Sequence, residues 1–309
     1  MQQITDTILM VRPAHFGYNE DTATSNVFQT LDLSLTSKEV EERARQEFDI
    51  FVHALRDAGV RVIIAEDTSE PLKPDAVFPN NWISFHENGT IVTYPMFAPQ
   101  RRLEVRDDIV HRCQEQFHFN KRVALEDWTT KEQFLEGTGS MILDRPHRIV
   151  YACHSNRTHR EVLQAFAKKM NFQIQLFTAQ DMNGLDIYHT NVLLALGETF
   201  VVICLDTIRN EEERRNLEAV FRETGKEIIP ISLEQMMAFA GNMLQVRNEA
   251  GDTMLVMSEQ AYRSLRPAQM KAIEQHTGVL FSPLKTIETF GGGSARCMMA
   301  EIFYPGMTK

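Results

Sequence analysis

The sequence predicts an α/β fold closed into a ring: a fivefold pseudosymmetric α/β propeller of ββαβ-type repeats, making one domain of residues 1–309. Three observations predict it. A cluster of small or polar residues precedes an apolar, strand-like run five times, in FPNNWISF, EGTGSMIL, YHTNVLLAL, AGNMLQV and GGGSARCMMAEIF. With Asn81, Gly139, Asn191, Asn242 and Ser294 as anchors, the gaps are 58, 52, 51 and 52 residues. A period of this size marks a repeated supersecondary unit. Helix-like stretches and short β-like runs share the intervals between anchors. Five such units in a closed ring leave only short, protected sheet edges.

The elements follow in chain order. Residues 37–58 (SKEVEERARQEFDIFVHALRDA) carry apolar side chains at helical spacing. Thr36 is placed as the N-cap, Glu39 three residues on completes a capping-box pattern, and Gly59 stands just past the end. Residues 158–169, 210–224 and 259–277 read as helices on the same grounds, and Pro267 splits the last into two pieces. Strand-like runs lie at 61–65, 90–94, 149–152, 200–205 and 254–257.

Composition narrows the function. The chain has 309 residues, 43% apolar and 24% charged, near the globular average, so disorder and fibre are excluded. A length of this order buries a core without covalent staples. The net charge of −10 argues against a nucleic-acid grip built on phosphate contacts and against adhesion to an anionic membrane. The longest apolar stretch, 192–205, includes Glu198 and is too short to span a bilayer. The start, MQQITDTILMVRP, shows no basic segment followed by a long apolar one, so no secretory signal is expected. Four cysteines, none in a CxxC pair, point to free thiols in a reducing cytoplasm.

Several repeats place a reactive side chain at the mouth of a strand, and a ring brings those mouths onto one axis. Cys297 follows Gly291, Gly292, Gly293 and Ser294. A glycine-rich turn brings backbone N–H groups close to a sulfur, and such donors favour the nucleophilic thiolate. The alternative is a buried structural cysteine. His189, before an apolar run, is a candidate general acid/base or a hydrogen-bonded core histidine. Glu136, between a glycine turn and a strand, needs a cationic or hydrogen-bonding partner if buried, and is otherwise an exposed loop carboxylate. The FPNNW segment offers Phe78, Asn80 and Asn81 as ligand contacts, or a plain Pro-Asn turn. Arg157 in SNRT stands between a strand and a helix, where it either holds a carboxylate or is solvated. Asp75 is a ligand or a turn cap. Phosphate loops are excluded: Ile142 stands where GxGxxG needs glycine, and GGGSAR lacks the Lys-Ser/Thr of a P-loop.

Taken together, in their order and spacing, these segments resemble the guanidino-group modifying superfamily. That superfamily includes arginine deiminase, dimethylarginine dimethylaminohydrolase, succinylarginine dihydrolase and the glycine amidinotransferases. The resemblance runs from VRPAHFGYN, starting at Val11, to Cys297. It implies the pentein fold, a fivefold α/β propeller that agrees with the repeat spacing. It implies Cys297 as nucleophile, His189 as acid/base and Glu136 as catalytic carboxylate. It further implies Arg157 as the clamp on the substrate carboxylate. Ser140 stands where the family's EGxGD-like motif is acidic. Within the superfamily the chain looks most like a small branch of amidinotransferase-like citrulline hydrolases, with VRPxxFxxN near the start and FPNNW.

One departure bears on the substrate. The deiminases carry aspartates where this chain has Asn81 and Asn191. Two carboxylates suit a guanidinium at low dielectric, whereas two amides each offer a donor and an acceptor and suit a neutral ureido group. Succinylarginine dihydrolase resembles the amide pattern and still takes a guanidine, so the substitution alone leaves both open. The expectation is a cysteine-dependent hydrolase of a ureido or guanidino C–N bond, with citrulline as the first candidate and ornithine, ammonia and carbon dioxide as products. The alternatives are deiminase-type hydrolysis of arginine or dimethylarginine, amidino transfer to an amine, and a catalytically silent binding protein of the same fold. The reaction calls for no metal or organic cofactor. The expected partner is a small amino acid, with neither nucleic acid nor membrane, and oligomerisation is left open.

Overall fold

The computed structural model describes residues 1–23 and 26–307. Among them are five three-stranded sheets of one pattern, in which the central strand pairs antiparallel with one neighbour and parallel with the other. Strands β1 (Thr7–Arg12) and β2 (Arg61–Glu66) form most of one blade. The second holds β3 (Ile83–His86), β4 (Thr90–Thr93) and β5 (Lys121–Ala124), the third β6 (Ile142–Asp144), β7 (Ile149–Cys153) and β8 (Gln173–Phe177). The fourth holds β9 (Leu194–Leu196), β10 (Phe200–Ile203) and β11 (Glu227–Pro230), the fifth β12 (Leu244–Arg247), β13 (Thr253–Ser258) and β14 (Gly278–Ser282). The last strand, β15 (Ala300–Glu301), returns to the first blade, with Ile8 opposite Glu301 and Leu9 opposite Ala300. The ring is therefore closed by the two ends of the chain.

The parallel pair in each blade requires a crossover, and a helix supplies it. Ser37–Asp57 joins β1 to β2, Asp107–Phe117 joins β4 to β5, Arg160–Met170 joins β7 to β8, and Glu211–Glu223 joins β10 to β11. Between β13 and β14 the connection is two helices, Glu259–Ser264 and Pro267–Glu274, broken at the proline as the sequence requires. The Thr36–Glu39 capping box is present. Helix Asp107–Phe117 is not anticipated by the sequence: it has no capping side chain, and His118 at φ 58° ends it where a glycine would have marked the stop. Helix Arg160–Met170 starts two residues later than its periodicity suggests, because Ser155 and Thr158 close a separate turn around Arg157.

Each helix buries one face on its sheet. Phe48, Phe51 and Leu55 pack with Ile8 and Met10 of β1, all fully buried. Burial of such side chains contributes about 1.5–3 kcal/mol each. No helix of the described residues is long and apolar enough to cross a membrane.

What positions the site is the short turn that enters the first strand of each blade. Pro79–Asn81 precedes β3, Gly137–Ser140 precedes β6, Thr190–Leu193 precedes β9, Asn242 precedes β12, and the turn of Cys297 precedes β15. Hydrogen bonds join these turns in sequence. The Thr138 hydroxyl donates to the Asn80 carbonyl (3.3 Å) and the Thr190 hydroxyl to the Ser140 carbonyl (2.6 Å). The Asn242 amide donates to the Asn191 carbonyl (3.0 Å), and the Arg296 N–H to the Asn242 side-chain oxygen (3.1 Å). This belt holds five mouths at one end of the ring.

Candidate active site

A cavity opens at that end. Cys297 and His189 line it together with Asp75, Phe78, Asn81, Arg101, Arg157 and Tyr188. The three glycines before Cys297 form one wall. The Phe78 ring lies against Gly291 and Gly293, 2.8 Å from where a Cβ would stand on either, so no larger residue fits. The Tyr188 hydroxyl donates to the Gly292 carbonyl (2.9 Å) and Asn26 to the Gly291 carbonyl (3.2 Å), which fixes the turn from its other side.

Cys297 is nearly buried, and its Sγ receives N–H groups from Asn191 and Asn242, each at 3.3 Å. The Asn191 Oδ1 is buried without a hydrogen-bond partner. Asn81 accepts from Arg101 through Oδ1 (3.0 Å), and its Nδ2 is likewise buried and unpartnered. Asn191 thus sits beside the sulfur, while Asn81 stands on the cavity wall. Asn80 points both side-chain polar atoms into the interior with no partner, outside the cavity lining.

Glu136 is completely buried and stands behind His189. Its Oε2 is 2.7 Å from His189 Nε2 and 3.5 Å from Arg157, and its Oε1 accepts from the Phe97 N–H (2.9 Å). Arg101 comes within 3.8 Å. Burial pushes the Glu136 carboxyl up, but Arg157, the His189 hydrogen bond and Arg101 outweigh it and hold it far below the usual carboxylate range. Burial, with the like charges of Arg157 and Arg101, brings His189 down to about 4 against the pull of Glu136. A neutral imidazole therefore donates Nε2–H to Glu136 and leaves Nδ1 as the free base.

This arrangement has a consequence for stability. The folded His189 titrates below its ordinary value of 6.5, so the unfolded chain binds more protons across that window. Stability is expected to be fully present above about pH 6.5 and to fall as the pH drops towards 4. Denaturant titrations across that range should show the slope, and His189→Asn should flatten it.

Arg157 lies over the Tyr188 ring (4.7 Å) with its guanidinium at the cavity. Ser140 binds the loops of Glu136 and Arg157 together, accepting from the Glu136 N–H (3.0 Å) and donating to the Arg157 carbonyl (2.7 Å). A hydroxyl that both accepts and donates is what this position requires, and a carboxylate could not supply the second bond. Asp75 accepts from Asn19 (2.7 Å), the last residue of VRPAHFGYN, and lies 3.6 Å from Arg101. Burial raises its pKa, with Arg101 pulling the other way. Arg101, Tyr188 and Asn242 are absent from the sequence-based candidates. Arg101 is held by Glu104 through two bonds of 2.9 Å. Among the described residues no group of three or more His, Cys, Asp or Glu is placed to hold a metal ion.

Gly139 tests the tightness of the assembly. A methyl group there would stand 2.9 Å from the His189 ring and collide with the Asn81 amide. Gly139→Ala is expected to displace both and to lower kcat about a hundredfold, the cost of a misplacement near 1 Å. Steady-state kinetics beside a thermal melt would separate this from unfolding.

The family of N,N dimethylarginine dimethylhydrolases, eukaryotic, has a sequence model that matches residues 12–304. The chain belongs to this family. No curated protein sequence matches it. Among solved structures, the product-bound N-terminal domain of ArgZ, an arginine dihydrolase from the ornithine–ammonia cycle in cyanobacteria, is 17% identical. The match covers 98% of this chain and 99% of that one, with a TM-score of 0.74. The same domain with a covalently bound reaction intermediate is 18% identical, covering 97% and 98% at a TM-score of 0.74. A dimethylarginine dimethylaminohydrolase variant carrying an S-methyl-L-thiocitrulline adduct is 14% identical, covering 97% and 100% at 0.65. These likenesses establish the fold: the ring of five blades is the pentein fold of the guanidino-group modifying superfamily.

Proposed function

We propose that the chain hydrolyses a C–N bond of a ureido group on an arginine-related amino acid, with citrulline as the substrate, through a covalent intermediate on Cys297. The observation that carries this reading is the side-chain amide of Asn81. Asn81 Nδ2 is an unpartnered buried donor on the cavity wall, suited to a carbonyl oxygen. Family membership, and the S-methyl-L-thiocitrulline adduct of one fold relative, support an arginine-related amino acid as the substrate class.

In this reading the Cys297 thiol passes its proton to His189 as the sulfur attacks the ureido carbon, and the carbonyl oxygen takes up the charge under the Asn81 amide. The tetrahedral adduct collapses, the bond to the side-chain nitrogen breaks, and protonated His189 delivers the proton to that nitrogen, releasing ornithine. Cys297 is left S-carbamoylated. His189 then takes a proton from water, hydroxide adds to the carbamoyl carbon, the C–S bond breaks with the proton returning from His189 to Cys297, and carbamic acid leaves and breaks down to ammonia and carbon dioxide. Glu136 keeps the imidazole oriented and stabilises its charged form. Arg157 holds the substrate carboxylate, which fixes the carbon near the sulfur.

Incubation with citrulline, arginine, dimethylarginine and succinylarginine, with separate detection of ornithine, citrulline, amines and ammonia, tests the reading. Ornithine from citrulline, and a mass gain of one carbamoyl group on Cys297, are expected. Turnover of arginine with citrulline as the end product would overturn it in favour of a deiminase. Product formation only with an added amine acceptor would indicate a transferase.

A further inference from the structure

We infer that Asn242 is a catalytic residue: with Asn191 it forms a two-amide cradle that solvates the Cys297 thiolate. The inference rests on Cys297 being the nucleophile, and goes beyond the residues that the sequence or the resemblance singles out.

The orientation of the Asn242 side chain is fixed by its partners rather than by assignment. Its Oδ1 accepts from the Arg296 N–H at 3.1 Å, which only an oxygen can do. The amide nitrogen must then face the other way. There it meets the Asn191 carbonyl at 3.0 Å and Cys297 Sγ at 3.3 Å, one hydrogen for each. Asn191 Nδ2 reaches the same sulfur at 3.3 Å. Asn242 is 1% exposed and Asn191 fully buried, so water does not compete for either donor. Two N–H groups converging on one sulfur suit an anion, which accepts several hydrogen bonds, better than a thiol. The Arg296 bond also ties the cradle to the backbone beside the nucleophile, so the donors and the sulfur keep one geometry.

The cradle carries no charge and does not titrate, so it favours the thiolate without adding a pH dependence of its own. The titratable and charged groups near the sulfur are His189, Tyr188, Asp75, Arg101 and Arg157 on the same cavity, with Glu136 behind His189. All are unchanged in the variants below.

The test is the pH profile of Cys297 alkylation by iodoacetamide in the intact protein, followed by mass spectrometry. This readout needs no substrate, so it stands apart from the ureido reaction. In Asn242→Ala the midpoint should rise by about one pH unit and the rate near neutrality fall about tenfold, as expected for one lost donor to a charged acceptor. Asn242→Asp keeps the bond to Arg296 but turns a carboxylate oxygen on the sulfur, and should shift the midpoint further. Asn242→Ser keeps a small donor, should lie between wild type and alanine, and gives the reading if the alanine variant does not fold. A purely structural role would lower activity with the midpoint unmoved, and midpoints matching wild type in the folded variants would overturn the inference. A shifted midpoint in a protein that fails to hydrolyse citrulline would uphold the cradle and sink the proposed reaction.

Discussion

Cys297→Ser is expected to reduce ammonia release from citrulline at least about a thousandfold with the fold intact. The argument is chemical before it is structural. A serine hydroxyl is far from ionised near neutral pH, and His189, which burial brings down to about 4, is too weak a base to ionise it. The shorter Oγ also draws back from the Asn191 and Asn242 amides, which meet the sulfur at 3.3 Å. Structurally little changes. The turn is held by the Cys297 N–H to the Ser294 carbonyl (3.0 Å), the Arg296 N–H to Asn242 and the Phe78 ring on the glycines, none of which involves the sulfur. Stability should stay within about 1 kcal/mol of wild type. Circular dichroism and a denaturant melt report the fold, and an ammonia assay the activity. Even a few per cent of retained turnover would remove Cys297 from the mechanism.

The ring was legible because every blade needs the same device at its entrance. A small or polar turn must pack against the next turn, so Asn81, Gly139, Asn191, Asn242 and Ser294 recur at nearly constant spacing. Which strand closes it was not legible. β15 has two residues, and its pairing with β1 links positions some 290 apart, a contact that no local pattern reports. The nucleophile and the imidazole stood out because glycines before a cysteine, or a histidine before a strand, are locally unusual. Glu136 was visible as a buried carboxylate in need of a cation. Its cations were harder to find, because Arg101 lies in APQRRLE, which reads as an exposed loop and is buried only through Glu104, Asp75 and Asn81. Asn242 was noticed only as a repeat anchor. The signal that might have raised it is that four of the five strand mouths bear a polar side chain capable of meeting a ligand or the sulfur, and this one was left without a task. Ser140 looked like a departure from an acidic motif, whereas it serves as a two-way hydrogen bond that becomes apparent only when the Glu136 and Arg157 loops lie side by side.

The geometry also decides which amide should be changed to test substrate charge. Converting both Asn81 and Asn191 to aspartate follows from the sequence comparison, but Asn191 donates to Cys297, and a carboxylate there would face a thiolate. Its effect would fall on the nucleophile rather than on substrate choice. Asn81→Asp is the clean change. Oδ1 keeps its bond from Arg101 (3.0 Å), which also offsets the new charge, while the donor on the cavity wall becomes an acceptor. A ureido oxygen then loses its hydrogen bond and meets negative charge, and a guanidinium N–H gains a charged partner. At a buried site such an exchange is worth about 1–3 kcal/mol, roughly tenfold to a hundredfold in relative kcat/KM. The quantity to measure is the ratio of kcat/KM for citrulline to that for arginine, in wild type and in Asn81→Asp. The ratio should favour citrulline in wild type and fall by that factor in the variant. Because a general loss of activity divides out of the ratio, only a change in discrimination registers. A wild type that prefers arginine, or a ratio that does not move, would show that the Asn81 amide does not read the head group. The catalytic constellation of Cys297, His189 and Glu136 would be untouched by that result, since none of its contacts passes through Asn81 Nδ2.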